Sequence, residues 1–220
     1  LTADSPVSGI TRNPWKTGRT SGGSSGGAAA GVAAGAGPIA IGTDGVGSIR
    51  VPSSFCGVFG LKPTFGLVSR APGFFPPSWG SLAHTGPITR TVADAELTLK
   101  IIAGYDMRDA ASLDCWAPGS REIPDGLRVA VSPDFGYAAV DPAVRKAFAS
   151  AVETLLGSRV DHSEATIALD ADILEKVLKP IALTEQAASV GDRGDEAFTE
   201  SDPDFRAVLE AGRRYSGLDY

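Results

Sequence analysis

The sequence has 220 residues, 43% of them hydrophobic and 21% charged, a balance that excludes a disordered chain and is sufficient for a real core. Its formal net charge of −6 excludes the basic face that nucleic acid or an anionic membrane surface would require. The two cysteines, Cys56 and Cys115, have neither CxxC spacing nor companion histidines, which excludes a structural zinc site and is typical of a reducing compartment. We therefore expect a cytoplasmic protein with no metal or other cofactor.

The first part of the chain is predicted to contain turns, one helix and one strand. Residues 1–21 are broken by prolines and glycines and are predicted to be irregular. The glycine–serine cluster that follows runs into a small-residue helix at about residues 28–36, which argues against a flexible linker. Residues 38–43 are predicted to form a short buried strand, and residues 44–48 a tight turn at its end.

Two helices in the middle of the chain have clear start signals. One helix is predicted at residues 91–103 and begins at Thr91. The other is predicted at residues 141–156 and begins at Asp141 and Pro142. These residue types are typical of the first positions of a helix. Residues 58–61 are a short apolar run, and residues 127–131 are predicted to form a strand. A charged helical region begins at residue 170 and has a break at Pro180. The last predicted helix covers residues 203–212.

The order of these elements gives the fold class. Strands that alternate with helices indicate an α/β protein. We expect a single domain over residues 1–220, in which residues 162–220 form a mostly helical peripheral region. No internal repeat is evident.

The sequence excludes several common types of catalytic site. It has no GxxxxGK[ST] phosphate loop, no GxGxxG after a strand, and no serine three residues before a lysine. Its only histidines, His84 and His162, lie in unrelated contexts, and we interpret them as a packing residue and a surface residue. The GxSxG match at residues 22–26 is not preceded by the buried strand that a nucleophile elbow requires, so we discount it.

Two glycine-rich turns, around Ser24 and Ser48, remain as candidates for chemistry. In GTDGVGSIR, Ser48 follows three residues whose amides could face a developing oxyanion. A single turn of this kind is usually structural only. Two such turns that flank a small-residue helix and a strand weaken the purely structural interpretation, but composition alone leaves both interpretations open.

A further run, APGFFPPSWG, is rich in aromatic residues and contains Phe74, Phe75 and Trp79. Proline fixes the backbone of such a loop. The rings could line an apolar cleft, but the favoured interpretation is that they pack on the core.

Residues 13–109 resemble the amidase signature family in the order and spacing of several motifs. The matching segments are NPWKTGRTSGGSSGGAAAGVAAG, GPIAIGTDGVGSIRVPSSFCGVFGLKPTFGLVS and SLAHTGPITRTVADAELTLKIIAGYDMRD. The resemblance implies an amidase-signature fold, with a mixed β-sheet core covered by helices, of which residues 13–109 are the signature core and this chain is a fragment.

The resemblance also implies a mechanism, in which a carboxylic amide is hydrolysed through an acyl-serine intermediate. It places the nucleophile at Ser48. Ser24, after an unusual cis peptide bond, would relay the proton of Ser48 to a neutral lysine. Ser25 would support this network by hydrogen bonding.

The turn that carries the nucleophile would also supply the oxyanion hole. The resemblance assigns this role to the amides of Gly45, Val46 and Gly47. Asp44 and Arg50 are expected to brace the turn and to take no part in catalysis.

The sequence departs from the family pattern in two places. Val46 stands where the family has glycine, and because a β-branched residue disfavours a positive φ, this position is extended here or the turn is rearranged. The family's lysine lies well upstream of GGSSGG, and Lys16 is interpreted as an exposed loop residue. We therefore expect the lysine and part of the substrate pocket to lie in N- and C-terminal segments outside this sequence, and little amidase activity for this chain alone.

Three functional hypotheses remain. The first is a stand-alone amidase that acts on a small-molecule linear amide, with no nucleic-acid or membrane partner and with a homodimer as one option. The second is a catalytically inactive homologue or fragment that serves as a binding or structural module. The third is an amidotransferase A-type subunit, whose members usually carry glutamine where Val51 stands, so this position favours the first hypothesis.

Overall fold

The computed structural model of the chain describes residues 3–5, 8–72, 79–114, 126–156, 160–166, 172–191 and 202–220. The chain divides into two compact units. One contains Leu1–Pro118 and Val177–Tyr220, and the other contains Gly119–Lys176. The single domain expected from the sequence stays a prediction.

The N-terminal segment forms two short antiparallel hairpins, so the prediction that residues 1–21 are irregular is wrong. Strand β1 (Asp4–Ser5) pairs with β2 (Gly9–Ile10), and β3 (Arg12–Asn13) pairs with β4 (Lys16–Thr20). Three of these strands are only two residues long, which is too short for an alternating pattern to show.

The second hairpin is held to a distant helix by two side chains. The Asn13 amide donates to the carbonyl of Phe55 at 2.7 Å, and the Trp15 indole donates to the carbonyl of Cys56 at the same distance. These carbonyls end α2 (Arg50–Cys56). Because the bonds join residues about forty positions apart, no local sequence signal could have indicated them.

A three-stranded antiparallel sheet lies at the centre of the first unit. It contains β5 (Ile39–Asp44), β6 (Phe59–Gly60) and β7 (His84–Thr89), in the order β5–β7–β6. The register runs from Ile39 opposite Thr89 to Asp44 opposite His84. The strand predicted at residues 38–43 corresponds to β5, and the apolar run at residues 58–61 contains β6. The prediction that the first of these strands is buried is wrong, since Ile39 and Ile41 are exposed.

Helices α1 (Gly26–Ala33) and α2 pack on this sheet through small and branched side chains. The buried cluster consists of Ala29, Val32, Ile49, Cys56 and Ile88. The packing is close because α1 carries little side-chain bulk, as the sequence predicted for the helix at residues 28–36.

The described residues of this unit also form the helices α3 (Val92–Ile102), α5 (Lys179–Val190) and α6 (Pro203–Gly212). The predicted cap at Thr91 is confirmed, since its hydroxyl accepts the Asp94 amide at 3.1 Å. A π-helical segment, Leu174–Leu178, runs into α5, so the break predicted at Pro180 falls at the start of α5.

The second unit is a parallel βαβ arrangement. Strand β8 (Arg128–Val131) pairs with β9 (Asp161–Glu164), and α4 (Pro142–Leu155) connects them. Asp141 caps α4 as predicted, by accepting the Ala143 amide at 2.8 Å. The antiparallel and parallel pairs together confirm the predicted α/β class.

No helix within the described ranges has the length and apolar character needed to cross a membrane.

Two glycines of the first unit, one in a tightly packed place and one beside open space, test its packing. A Cβ at Gly86 would lie 2.1 Å from the carbonyl oxygen of Leu61 and 2.8 Å from Pro63, so Gly86→Ala should lower the free energy of unfolding by about 2–3 kcal/mol. A Cβ at Gly31, inside α1, would meet its nearest atom at 4.0 Å. Gly31→Ala should therefore be neutral or raise the free energy of unfolding, by up to about 1 kcal/mol. Urea unfolding of both variants measures the difference, and equal effects would contradict the packing described.

Candidate functional site

The turn before α1 brings its backbone against α2. The peptide bond between Gly23 and Ser24 is cis, at the position where the family resemblance implies one. Gly22 has a φ of +73°, and a Cβ there would lie 3.1 Å from the Cα of Pro52. Only glycine satisfies both the dihedral angle and the close approach.

The second turn connects β5 to α2 and is built around the Asp44 carboxylate. The Asp44 side chain is fully buried and accepts the amides of Gly47, Ile49 and Arg50, at 2.6, 3.2 and 3.3 Å. The Arg50 guanidinium binds the same carboxylate through Nε at 2.9 Å and Nη2 at 2.8 Å. The expectation that Asp44 and Arg50 brace this turn agrees with these contacts.

These contacts fix the charge of Asp44. Burial of the carboxyl would raise its pKa, but the bonds from Arg50 and from the three amides outweigh burial and lower the pKa from 3.8 to about 2. Asp44 is therefore an anion at neutral pH, and its oxygens are occupied by donors of the turn. It is a structural anion and not a general base.

The two serine turns are joined by their backbones. The Ser25 amide donates to the carbonyl of Ser48 at 3.2 Å. The Ser25 hydroxyl accepts the amide of Thr43 at 3.2 Å and lies 3.3 Å from its carbonyl, to which it donates. Ser25 thus links the start of α1 both to strand β5 and to the turn at Ser48.

The exposure of the serines differs. Ser48 is buried, with 8% of its surface accessible, whereas Ser24 is exposed. No described residue forms a hydrogen bond with the hydroxyl of either serine. The structure therefore brings the two turns together through Ser25, and the proton relay from Ser48 through Ser24 stays a prediction.

One predicted oxyanion donor has a different role in the structure. The Gly47 amide donates to Asp44 at 2.6 Å, so it is engaged by the carboxylate and is not free for an oxyanion. Gly47 has a φ of +123°, which explains why glycine is required there. The amides of Gly45 and Val46 remain as candidates.

Val46 does not strain the turn. Among the residues that the structure describes, only Trp79 and Phe135 are non-glycine residues with a positive φ. Val46 thus takes a backbone conformation open to β-branched residues.

Three lysines of the first unit bind other groups or lie exposed, and none of these contacts is with Ser24 or Ser48. Lys62 donates to the carbonyl of Pro63 at 2.9 Å, and Lys100 pairs with Glu96 at 2.7 Å. Lys16 lies in the exposed strand β4. No group of three or more His, Cys, Asp or Glu side chains suited to a metal ion occurs in the described parts of the chain.

Two residues near the turn were not assigned to the site from sequence. His84 lies opposite Asp44 in the sheet, donates from Nδ1 to the Asp44 carbonyl at 3.1 Å, and meets the Phe65 ring edge-on with ring centres 5.5 Å apart. These contacts support the packing role predicted for His84. The Trp79 ring lies against Gly45. Phe74 and Phe75, the other rings of that run, lie outside the described residues.

Comparison with known proteins gives consistent matches. The family model described as Amidase matches residues 1–217. An acylamidase of Rhodococcus erythropolis is 46% identical over 145 residues, which cover 64% of this chain and 30% of that protein. The A-type subunit of the glutamyl-tRNA(Gln) amidotransferase of Gloeobacter violaceus is 46% identical over 165 residues, covering 72% of this chain and 33% of that protein.

Solved structures agree with these matches. The crystal structure of a bacterial aryl acylamidase of the amidase signature enzymes matches 99% of this chain and 47% of its own, with a TM-score of 0.77 and 31% identity. The chain therefore spans between 30% and 47% of the length of these relatives.

The charge of Asp44 leads to a pH-dependent stability. Since its pKa in the folded protein lies near 2 and below the ordinary 3.8, its contribution is complete above about pH 4 and is lost as the pH falls toward 2. Asp44→Asn should lower the free energy of unfolding at pH 7 by about 2–3 kcal/mol and flatten this loss, because a buried bonding network is broken.

The matched control is Asp106→Asn. The pKa of Asp106 is also lowered to about 2, by hydrogen bonds from Arg108, but this ion pair lies at the surface, where water screens it. We expect a far smaller change in stability for this variant. Urea unfolding of both variants between pH 2 and pH 7 measures the difference, and similar profiles would show that Asp44 does not organise the turn.

Proposed function

The chain belongs to the amidase signature family, and from this premise we propose that the protein hydrolyses carboxylic amides with Ser48 as the nucleophile. The observation that carries the proposal is the joining of the Ser48 turn to the turn at Ser24, through the bond from the Ser25 amide to the Ser48 carbonyl. This bond supports the proposal because it joins the turn that carries the proposed nucleophile to the turn that carries the proposed relay serine.

The proposed reaction has two halves. In the first, the Ser48 oxygen attacks the amide carbonyl, its proton passes to the Ser24 oxygen, and the proton of Ser24 passes to the base. The resulting oxyanion accepts hydrogen bonds from the amides of Gly45 and Val46. When the C–N bond breaks, the leaving amine takes a proton returned by the same route, and the acyl group stays on Ser48.

In the second half, water attacks the acyl-serine. Its proton follows the path through Ser24 to the base, the carboxylic acid leaves, and the Ser48 oxygen is protonated again. Asp44 takes no proton in either half, because its oxygens are held by Gly47, Ile49 and Arg50. Its part is to keep the turn in shape while the charge develops.

The base in this proposal is a neutral lysine in a part of the family fold outside this sequence. The proposal is consistent with the share of the relatives that this chain spans, at most 47% among those compared. The proposal includes N- and C-terminal segments that complete the pocket. It also includes a small-molecule amide substrate, a cytoplasmic location and a homodimer.

The two alternative functions are distinguishable. The amidotransferase hypothesis is supported by 46% identity to the Gloeobacter protein, but Val51 stands where members of that group usually carry glutamine. The inactive-homologue hypothesis draws on Val46. Because Val46 fits the turn with a negative φ, this residue gives that hypothesis no support.

A covalent probe tests the nucleophile. In the complete protein, a fluorophosphonate should label Ser48, and Ser48→Ala should abolish labelling because the attacking oxygen is gone. Ser24→Ala should slow labelling by roughly 100-fold, because the proton relay is broken while the nucleophile remains. Gel fluorescence and mass spectrometry of the labelled peptide give the rate and the site.

The matched control is Ser54→Ala, which removes an exposed serine of α2 close in sequence to Ser48. Its labelling rate should equal that of the wild type. Labelling that persists in Ser48→Ala would reject the proposed nucleophile. Labelling of Ser48 together with turnover of glutamine but not of simple amides would favour the amidotransferase hypothesis.

A further inference from the structure

Trp79 lies beside the turn that carries the nucleophile, for a reason set by the sheet. The pairing of β5 with β7 ends at Asp44 opposite His84. The chain after Asp44 and the chain before His84 therefore leave the sheet at the same end. This places Gly45 on one side and the segment that begins at Trp79 on the other.

The contact between Trp79 and Gly45 is direct. A Cβ built on Gly45 would lie 2.6 Å from Cε3, 3.1 Å from Cζ3 and 3.4 Å from Cδ2 of the indole. The six-membered ring of Trp79 thus occupies the space that a side chain at Gly45 would need. This contact, and not a positive φ, is what requires glycine at position 45.

Trp79 is held in this place by bonds from three parts of the chain. Its indole Nε1 donates to the Gln186 side chain at 2.8 Å. Its carbonyl accepts the Ala83 amide at 2.8 Å and the Arg70 guanidinium at 3.2 Å. Its φ of +56° is disfavoured for a bulky aromatic residue, and residues held in such conformations concentrate at functional sites.

The segment after Trp79 is fixed to the same helix. The Ser81 amide donates to the Glu185 carboxylate at 3.0 Å, and Glu185 also accepts the Tyr220 hydroxyl at 2.9 Å. Glu185 and Gln186 are neighbours in α5. One turn of α5 therefore holds both the ring of Trp79 and the backbone two residues later.

We propose that Trp79 is a positioning residue of the amide-hydrolysing site. Its ring holds the Gly45 amide in the direction needed for the developing oxyanion and keeps water off that side of the turn. The turn is then fixed at both ends, by Asp44 at Gly47 and by Trp79 at Gly45. This proposal rests on the proposed function, since it assumes that Ser48 reacts.

The proposal predicts that Trp79 affects the rate of the reaction at Ser48 and does not affect the binding of the probe that precedes it. Removing the ring takes away the three atoms nearest to the Cβ position of Gly45, so the amide loses the contact that fixes its direction. A donor displaced by about 1 Å can lower the rate of a reaction by roughly 100-fold. Binding of a probe before reaction does not use the oxyanion contact.

The test measures how fast a fluorophosphonate labels Ser48 in the complete protein at a series of probe concentrations. Trp79→Ala should lower the maximal labelling rate by roughly 10- to 100-fold and leave the half-saturating probe concentration within about threefold of the wild type. Trp79→Phe keeps a ring on Gly45 and should recover most of the rate. Trp15→Ala is the matched control, because Trp15 also binds a backbone carbonyl through its indole but lies against Gly57, so the rate should be unchanged.

A second variant keeps the proposal testable if Trp79→Ala fails to fold. Gly45→Ala retains the indole but places a methyl group 2.6 Å from it, and should also lower the maximal rate. In the double variant Gly45→Ala with Trp79→Phe, the smaller ring leaves more room, so the loss should be less than the product of the two single losses. If the loss of rate in the double variant equals the product of the losses in the two single variants, the proposal is overturned.

The outcomes separate this proposal from the proposed function. If the wild type is not labelled at Ser48, both fall together. If the wild type is labelled and Trp79→Ala reacts at the same maximal rate, the nucleophile stands and the positioning role is rejected. If only the half-saturating concentration rises, Trp79 contacts the probe and the positioning role is likewise rejected.

Discussion

The site depends on one buried carboxylate. Asp44 has no exposed side-chain surface, yet it carries a charge, and burying an unpaired charge would be prohibitive. The cost is offset because Arg50 and three amides of the turn bind the carboxylate. The turn can close only with Asp44 inside it, and Asp44 can be buried only with the turn closed. The shape of the loop before Ser48 thus follows from an electrostatic requirement more than from the dihedral preferences of its residues.

The same carboxylate engages one of the three amides that the family resemblance assigns to the oxyanion hole. Gly47 is committed to Asp44, which leaves Gly45 and Val46 nearer the strand end. Ser25 then ties this arrangement to the start of α1, through the Ser48 carbonyl and through Thr43. A serine hydroxyl that both donates and accepts suits this position, because strand β5 offers an amide and a carbonyl of one residue there.

Elements with local signals were predictable from the sequence, and the contacts that shape the site were not. The caps at Thr91 and Asp141 were predicted correctly because a cap bonds to an amide only two or three residues away. The hairpins before residue 21 were missed because most of their strands have two residues and the second hairpin is held by bonds from Asn13 and Trp15 to the distant helix α2. Composition singled out the two serine turns, and only the family resemblance assigned roles to Ser24 and Ser48. The bond from the Gly47 amide to Asp44 and the contact of the Trp79 ring with Gly45 were visible only in the structure. Neither contact produces a periodic pattern or a residue spacing in the sequence.

The bond between Trp79 and Gln186 has a consequence for the order in which the turn is assembled. The contacts of the Asp44 carboxylate span at most six residues, so this part of the turn can close soon after Arg50 leaves the ribosome. The partner of the indole lies 107 residues further along the chain. The turn before Ser48 can therefore form during synthesis before its aromatic cover, which depends on Gln186 in α5. The covered turn thus requires a segment that is made long after the turn itself.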